Sequence, residues 1–237
     1  MKIVTVQFQY PNRSNYSLLL DVFRYSCQKY MPDVEFVEIK IPAPEGHSGR
    51  DLNFCYNSVK LAHWLEQLEN SDEEIIFADC DMLAVKSAKH AFNKKFDVAF
   101  TARTRTKRIP MNGGIMMARP TEAARRFFRE MLYVNNKMLT DIQFHNKWRV
   151  RYAGMNQSAF GCVYETGKHG AKVHEYKTIE WNAVDCDWLD IDSKTVFIHY
   201  KSHLRKMVLR ERNIKDGLEN VVKIWDSMRK EMEEVRR

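Results

Sequence analysis

Apolar segments of strand length alternate with longer segments of helical periodicity through the first third of the chain. Strands are predicted over 2–8, 34–41 and 75–81, and amphipathic helices over 16–30 and 53–70. Because strands that alternate with helices usually pair in parallel, this pattern predicts an α/β fold. We expect a Rossmann-like, mixed but mainly parallel central sheet flanked by helices.

Beyond the first third, the apolar pattern predicts four more strands and four more helices. The strands are 97–101, 110–118, 172–176 and 195–200. The helices are 87–94, 120–134, one that begins after a cap at Asn156 or Ser158 and ends at 165, and 208–237. We expect one domain over 1–207, with a charged helical extension over 208–237 docked on it.

Two carboxylates, Asp79 and Asp81, stand where the strand 75–81 leaves the predicted sheet. In an open α/β sheet this carboxyl edge is where ligands bind. Acidic side chains one residue apart can share a hard divalent cation such as Mn²⁺ or Mg²⁺, whose shell is completed by water and substrate phosphates. A plain turn after a strand also favours aspartate, so the pair alone does not identify a metal site.

Three later motifs place polar groups at the ends of predicted elements. The glycines of Asn112-Gly113-Gly114 let backbone amides approach a ligand, and Asn112 can donate and accept hydrogen bonds. Asn156-Gln157 stands at a helix start, where its amides can bind a sugar hydroxyl. His199 lies at a strand end and is followed by basic residues, which fits a metal-plus-phosphate site. These basic residues are Lys201, Arg205 and Lys206.

The chain carries 38 lysines and arginines against 31 aspartates and glutamates, a formal net charge of +7. Much of the excess lies in the segments 103–108 and 199–212. Basic patches suit phosphate-bearing ligands, from a nucleoside diphosphate to a nucleic acid, although they also aid solubility.

The five cysteines are scattered and never at C-x-x-C spacing, which indicates neither a disulfide framework nor a zinc site. No apolar run reaches the ~18 residues of a membrane helix, and residues 1–6 are too strand-like for a signal peptide. We therefore expect a cytoplasmic protein without a transmembrane segment. Dinucleotide and P-loop sites lose support because their glycine motifs are missing.

Taken in order, these pieces resemble the GT-A fold glycosyltransferases, especially the family 8 nucleotide-diphospho-sugar transferases similar to glycogenin and bacterial galactosyltransferases. The resemblance covers residues 2–206 and rests on a series of motifs. They are Asp79-Cys80-Asp81, Asn112-Gly113-Gly114, Asn156-Gln157, Trp181-Asn182 and Phe197-Ile198-His199-Tyr200. The resemblance implies a GT-A fold, a Mn²⁺ or Mg²⁺ cofactor and a nucleotide-sugar donor, with a UDP-sugar expected first.

The same resemblance implies roles for the charged residues. Asp81 and His199 would bind the metal, and Asp79 would share the metal or hold the donor ribose. Either Arg205 or Lys206 would contact the diphosphate, because the family carries a basic residue several positions after its histidine.

On the sugar side, Asn112 and the backbone of Gly113-Gly114 would lie against the donor sugar, and Gln157 would face its hydroxyls or the reacting carbon. The chain departs from the family twice: Asn156-Gln157 replaces the usual Asp-Gln pair, and the usual Gly and Lys-Pro-Trp after the histidine are missing. The stereochemistry therefore stays open. A retaining reaction needs no strong protein base beside the acceptor, whereas an inverting one does. The candidate bases are Asp141, Asp185 and Asp187.

Several acceptors and two other functions stay open at this stage. The acceptor hydroxyl could belong to a glycan, a lipid-linked sugar, a protein side chain or a modified nucleic acid. A nucleotidyltransferase would also use an acidic pair with Mg²⁺, but the loop 10–15 lacks the glycines expected after its first strand. A non-catalytic nucleic-acid-binding protein would leave the acidic pair and the strand-end histidine unexplained.

Overall fold

The computed structural model describes residues 1–9, 15–103, 110–154 and 156–237. The strands in these ranges are β1 (Lys2–Gln9), β2 (Glu35–Pro42), β3 (Ile75–Ala78), β4 (Met82–Ala84), β5 (Val98–Ala102), β6 (Met111–Ala118), β7 (Val173–Lys177) and β8 (Phe197–His199). The α-helices are α1 (Asn15–Tyr30), α2 (Gly49–Glu69), α3 (Glu122–Thr140), α4 (Ile142–Arg149), α5 (Asn156–Thr166), α6 (Thr178–Trp181), α7 (Ser202–Val208) and α8 (Glu219–Val235). A 3₁₀ helix spans Lys89–Asn93.

Six strands form the central sheet in the order β2-β1-β3-β6-β5-β7. Strand β1 pairs in parallel with β2 and β3, and β5 pairs in parallel with β7. Strand β6 runs antiparallel to both β3 and β5. A second, two-stranded sheet pairs β4 with β8 in antiparallel orientation. This mixed, mainly parallel sheet flanked by helices confirms the predicted α/β fold.

Both faces of the central sheet are covered, which explains why β3 is apolar at every position. Ile75 and Phe77 pack with α2 and α3, and Trp64 of α2 stacks on Phe77 with 5.0 Å between ring centroids. Ile76 and Ala78 belong to the core on the other face, with residues of α1. The buried strand therefore holds the residues that follow it at a fixed point on the carboxyl edge of the sheet.

The strand predicted over 75–81 is shorter in the structure and is followed by an unpredicted strand. Strand β3 ends at Ala78, and β4 begins at Met82 after the connection that contains the acidic pair. Met82 pairs with His199 in the ladder between β4 and β8. The apolar pattern continues on both sides of the acidic pair, so it does not reveal the change of pairing partner.

The single helix predicted from Val208 to the C-terminus is also wrong, because the structure contains two helices. Helix α7 ends at Val208 and α8 begins at Glu219. Between them Arg210 and Gly217 adopt left-handed backbone, with φ of +61° and +84°, which a continuous helix does not contain. The buried side of α8, which includes Trp225, packs with residues of α1 and β8. The boundary expected after residue 207 falls inside α7.

Three local features bear on the site described below. Helix α3 extends to Thr140, beyond its predicted end, and the unpredicted α4 follows it. Helix α6 ends at Trp181, and Asn182 is its C-cap. Ser202, the first residue of α7, has a φ of +54°, a left-handed conformation that favours glycine.

Candidate active site

A cavity of about 410 Å³ opens at the carboxyl edge of the central sheet. Residues of β1 and β6, the segments after β3 and β8, and helices α1, α2, α5 and α7 surround it. Its lining residues are Val6, Phe8, Tyr16, Tyr56, Asn57, Lys60, Asp79, Cys80, Asp81, Asn112, Gly113, Gly114, Asn156, Gln157, His199, Lys201 and Arg205. Motifs that lie far apart in the sequence therefore meet in one cavity.

Asp79, Asp81 and His199 converge in this cavity. The His199 Nε2 atom lies 3.2 Å from Asp81 Oδ1 and 3.7 Å from Asp79 Oδ2, and one ligand atom of each residue lies within 4.8 Å of the others. Backbone hydrogen bonds fix this arrangement. The Asp79 N–H donates to the Gly114 carbonyl at 2.9 Å, and the Tyr200 N–H donates to the Asp81 carbonyl at 2.8 Å.

Each carboxylate of this group also contacts a cation. Lys60 Nζ lies 2.9 Å from Asp79 Oδ1, and Arg205 Nη1 lies 3.1 Å from Asp81 Oδ2. Burial by itself raises the pKa of Asp81, but His199 and Arg205 outweigh burial and hold that pKa below its usual range. Asp81 is therefore ionised at neutral pH.

The three residues form a donor set that can hold a divalent metal ion. Carboxylate oxygens are the ligands that Mg²⁺ and Mn²⁺ prefer, and imidazole nitrogen is a common ligand of transition metals. The His199 ring turns Nε2 toward the carboxylates, because its Nδ1 lies 3.1 Å from Asn182 Oδ1 on the opposite side. The sequence-predicted metal residues thus have the proximity and the chemistry that a metal requires.

The two glycines after Asn112 occupy different environments within β6. The Gly114 N–H donates to Asn112 Oδ1 at 2.9 Å. A Cβ atom on Gly114 would lie 2.5 Å from the His199 ring, so the ring and a side chain here exclude each other. A Cβ atom on Gly113 would lie 3.5 Å from the Asn156 side chain, an ordinary van der Waals contact. Gly114 therefore makes room for the histidine, whereas Gly113 does not.

The start of α5 presents the predicted amide pair to the cavity. Asn156 is buried beside Gly113, and Gln157 is half-buried in the cavity lining. Gly154 precedes the helix with a φ of +123°, and a Cβ atom there would lie 2.2 Å from Gln157 Oε1. The position of Gln157 thus depends on glycine at 154.

Four predicted residues lie outside the cavity lining: Asp141, Asp187, Lys206 and Asp185. The Asp141 carboxylate caps α4 by accepting the Phe144 N–H at 2.8 Å. Asp187 is buried and accepts a backbone N–H three residues earlier at 3.2 Å. These contacts do not support a role as general base, because both carboxylates already accept hydrogen bonds from backbone N–H groups. Lys206 is exposed, so Arg205 is the basic residue of this pair that reaches the cavity.

Asp185, the third candidate base, forms ion pairs with Arg103 at 3.0 Å and Lys201 at 3.2 Å. Burial by itself raises the pKa of Asp185, but Lys201 and Arg103 outweigh it and lower that pKa. A carboxylate paired in this way is a weak base. Arg103 is only 5% exposed, so this member of the basic segment 103–108 is not surface charge, and residues 104–108 lie outside the described ranges.

Helix α2 contributes cavity residues that the sequence analysis does not single out. Lys60 Nζ lies 4.7 Å from the centre of the Trp64 ring, and the Tyr56 ring lies 4.6 Å from that of Phe8. The available signal is positional. Lys60 lies one helical turn before the buried Trp64 and shares the face of α2 that packs on the sheet.

No protein-family model and no curated protein matches this sequence. Solved structures of glycosyltransferases match its fold. A glycosyltransferase involved in the glycosylation of the major capsid of PBCV-1 is 12% identical, with a TM-score of 0.63 over 89% of this chain and 100% of that one. The galactosyltransferase LgtC is 11% identical, with a TM-score of 0.60 over 98% and 96% of the two chains. The glycosyltransferase GlyE of Streptococcus pneumoniae TIGR4 is 11% identical, with a TM-score of 0.56 over 97% of this chain and 63% of GlyE. The chain thus has the GT-A fold of these glycosyltransferases, as the sequence predicts.

Proposed function

We propose that this chain is a metal-dependent glycosyltransferase that moves a sugar from a nucleotide-diphosphate sugar to a hydroxyl acceptor. The observation that carries the proposal is the meeting of Asp79, Asp81 and His199 within 4.8 Å of one another in a cavity at the carboxyl edge of the sheet. The fold shared with solved glycosyltransferases supports the same class of reaction. A UDP-sugar is the first donor to test.

In this proposal Asp79, Asp81 and His199 hold Mn²⁺ or Mg²⁺. The bound ion supplies electrostatic stabilisation of the negative charge on the departing diphosphate. Lys201 and Arg205, which line the same cavity, bind the phosphate oxygens. Arg205 already lies 3.1 Å from Asp81 Oδ2, so a short movement carries it from carboxylate to phosphate.

The described lining of the cavity favours a reaction that retains the anomeric configuration. Its acidic side chains, within the described ranges, are Asp79 and Asp81, and both belong to the metal group. Without another carboxylate beside the acceptor, Asn112 and Gln157 bind and orient the donor sugar through their amides. We expect the sugar released by slow hydrolysis of the donor to keep the donor's configuration, and NMR detection of the opposite anomer first would contradict this.

The acceptor is a hydroxyl group, and the kind of molecule that carries this hydroxyl stays a prediction. A nucleic-acid acceptor rests on the basic segment 103–108, of which residues 104–108 lie outside the described ranges and Arg103 is buried. Nucleotidyl transfer and non-catalytic nucleic-acid binding gain no support from a described contact. Cytoplasmic location also stays a prediction. Among the helices of the described ranges, none combines the length and the apolar character needed to cross a membrane.

A thermal-shift panel tests the proposal. UDP, GDP, CDP and ADP are each added to the full chain with and without Mn²⁺ or Mg²⁺. A ligand at 100 times its dissociation constant stabilises the folded state by about 2.7 kcal/mol, which raises the melting temperature measurably. We expect a shift with UDP that requires the metal, and slow metal-dependent hydrolysis of the matching UDP-sugar.

The Asp81→Asn variant is the control for the metal. It should lose the metal-dependent shift while its melting temperature without ligand stays that of a folded protein. A shift that is the same with and without metal, or no shift with any nucleotide, would contradict the proposed function.

A further inference from the structure

A buried chain of polar groups connects the backbone of β6 to the His199 ring. Asn182, at the end of α6, is the centre of this chain. Its Nδ2 atom lies 2.9 Å from Asn112 Oδ1 and 2.8 Å from Thr101 Oγ1, and its Oδ1 atom lies 3.1 Å from His199 Nδ1. Asn182 and Thr101 are fully buried, and Asn112 and His199 are only 4% exposed.

The direction of every hydrogen bond in this chain follows from one backbone group. The Gly114 N–H can only donate, so the Asn112 atom that it contacts at 2.9 Å must be the amide oxygen. The Asn182 atom that contacts the same oxygen must then be its NH₂ group. The second hydrogen of this group meets Thr101 Oγ1, whose own hydrogen goes to the Asn112 carbonyl at 3.1 Å.

This leaves the Asn182 carbonyl oxygen facing His199 Nδ1. A carbonyl oxygen only accepts, so Nδ1 must carry a hydrogen. In the neutral imidazole the other nitrogen, Nε2, then has a free lone pair. Nε2 is the atom that lies 3.2 Å from Asp81 Oδ1, where it can donate a hydrogen to the carboxylate of the metal-free protein or offer its lone pair to a bound metal ion.

We propose that Asn182 is a positioning residue that sets the tautomer and the orientation of His199 for metal binding. When Nε2 is offered to a metal ion, the hydrogen of the neutral ring is on Nδ1, and without the Asn182 amide oxygen this buried N–H would be unsatisfied, which is costly. The importance of this role for turnover rests on the proposed function, whereas the role itself concerns only the protein and a metal ion. Outer-shell partners of metal-bound histidines typically contribute 10- to 100-fold in metal affinity.

The first test uses the unmodified protein saturated with Mg²⁺, a diamagnetic ion, and without donor. Long-range proton–nitrogen NMR of the full chain distinguishes a His199 ring that carries hydrogen on Nδ1 from one that carries it on Nε2. We expect the Nδ1–H form. A ring that keeps its hydrogen on Nε2 in the presence of saturating Mg²⁺ would overturn the proposal without any need for a variant.

The second test compares two substitutions of Asn182. Asn182→Leu removes the acceptor and should lower Mn²⁺ affinity 10- to 100-fold in calorimetric titrations of the full chain without nucleotide. Asn182→Asp keeps an acceptor for Nδ1–H but replaces the NH₂ donor by an oxygen facing Asn112 Oδ1, so it should recover only part of that loss. The matched control is Thr178→Val on the same helix, which removes a buried hydroxyl without a hydrogen-bond partner and should leave Mn²⁺ affinity unchanged.

Retention of both the Nδ1–H tautomer and wild-type Mn²⁺ affinity in a folded Asn182→Leu protein would overturn the role of Asn182. Neither readout involves a nucleotide sugar. A negative nucleotide panel with a positive tautomer and metal result would therefore reject the proposed function and leave the role of Asn182 intact.

Discussion

The cavity has two walls that are built in different ways. The sheet wall consists of Asp79, Asp81, Asn112, Gly114 and His199, which follow or belong to strands. Backbone hydrogen bonds tie it together, and its Asp81, Asn112 and His199 side chains are at most 5% exposed. Because its groups are packed and hydrogen-bonded to one another, the sheet wall would set the geometry of the proposed metal site before any ligand arrives.

The helix wall consists of Tyr56, Lys60, Gln157 and Arg205, which reach the cavity from three helices. Lys60 and Arg205 are long side chains, 14% and 27% exposed, whose cationic ends rest on the metal-site carboxylates. Long side chains can move without disturbing the core. If the proposed function holds, the comparison predicts a rigid metal geometry, whereas the groups proposed to meet the donor can exchange partners.

The strongest way to break the sheet wall is to remove a metal ligand. We expect Asp81→Asn to lower transfer about 100- to 1,000-fold, because the charge that organises the transition state is lost. Initial rates of sugar transfer or donor hydrolysis measure the effect. The matched control is Asp141→Asn, which exchanges one good helix cap for another and should leave both rate and stability nearly unchanged. A large loss of rate in Asp141→Asn would restore its role as a base.

The adjacent glycines test how tightly the sheet wall is packed. Gly114→Ala places a methyl group 2.5 Å from the His199 ring and should cost about 1–3 kcal/mol of unfolding free energy, the range typical of overpacking. Metal-dependent nucleotide binding should weaken at the same time, because the ring is displaced. Gly113→Ala meets Asn156 at 3.5 Å and should be far milder. Urea denaturation measures the unfolding free energy of the two variants. Equal losses of unfolding free energy would show that the residues around Gly114 move aside for the added methyl group.

The helix wall is tested at Lys60. Lys60→Met keeps an unbranched side chain beside Trp64 but removes the cation, and we expect donor affinity to fall about tenfold, in line with the loss of a charge-assisted hydrogen bond. Stability should change little. Lys206→Met is the control, since it removes an exposed lysine outside the cavity. Nucleotide titrations that give the same affinity for both variants would remove Lys60 from the site.

The smallest effect concerns the ion pairs of Asp185 with Arg103 and Lys201. The pKa of Asp185 is lowered in the folded protein, so its contribution to stability is present above the unfolded-state pKa of about 3.9 and is lost as the pH falls through the lower folded value. Asp185→Asn should therefore be less stable than the parent at neutral pH, with the difference vanishing in acid. The effect is small because Asp185 is 47% exposed and water screens it. A difference that persists at pH 2 would contradict this sign.

The sequence predicts the sheet wall better than the helix wall. The acidic pair follows an apolar strand, His199 ends one, and Gly114 directly precedes the apolar run of β6. Such boundaries are visible in a hydrophobic pattern. Lys60 belongs to a helix whose rotation about its axis must be known before any one side chain can be placed. A lysine one turn from a buried tryptophan is a weak signal on its own.

The errors of the sequence analysis have related physical causes. Strand β4 is missed because its partner β8 lies far along the chain, and hydrophobicity does not encode which distant strand pairs with it. The break between α7 and α8 depends on left-handed backbone at Arg210, a residue type that gives no warning of it. The role of Asp141 as a base stays a prediction, although the course of α3 and α4 shows that its carboxylate caps a helix.

Ser202 bears on how this chain can have the fold of solved glycosyltransferases at low sequence identity. It takes a φ of +54° immediately after the segment that carries His199 and Lys201, although left-handed backbone costs a residue other than glycine roughly 1–2 kcal/mol. The family that the sequence resembles usually has a glycine after this histidine, and this chain does not. Ser202 thus adopts a backbone conformation that favours glycine although it carries a side chain. At 11–12% identity, this protein shares the course of the main chain with its structural neighbours, whereas most of the residues along that chain differ.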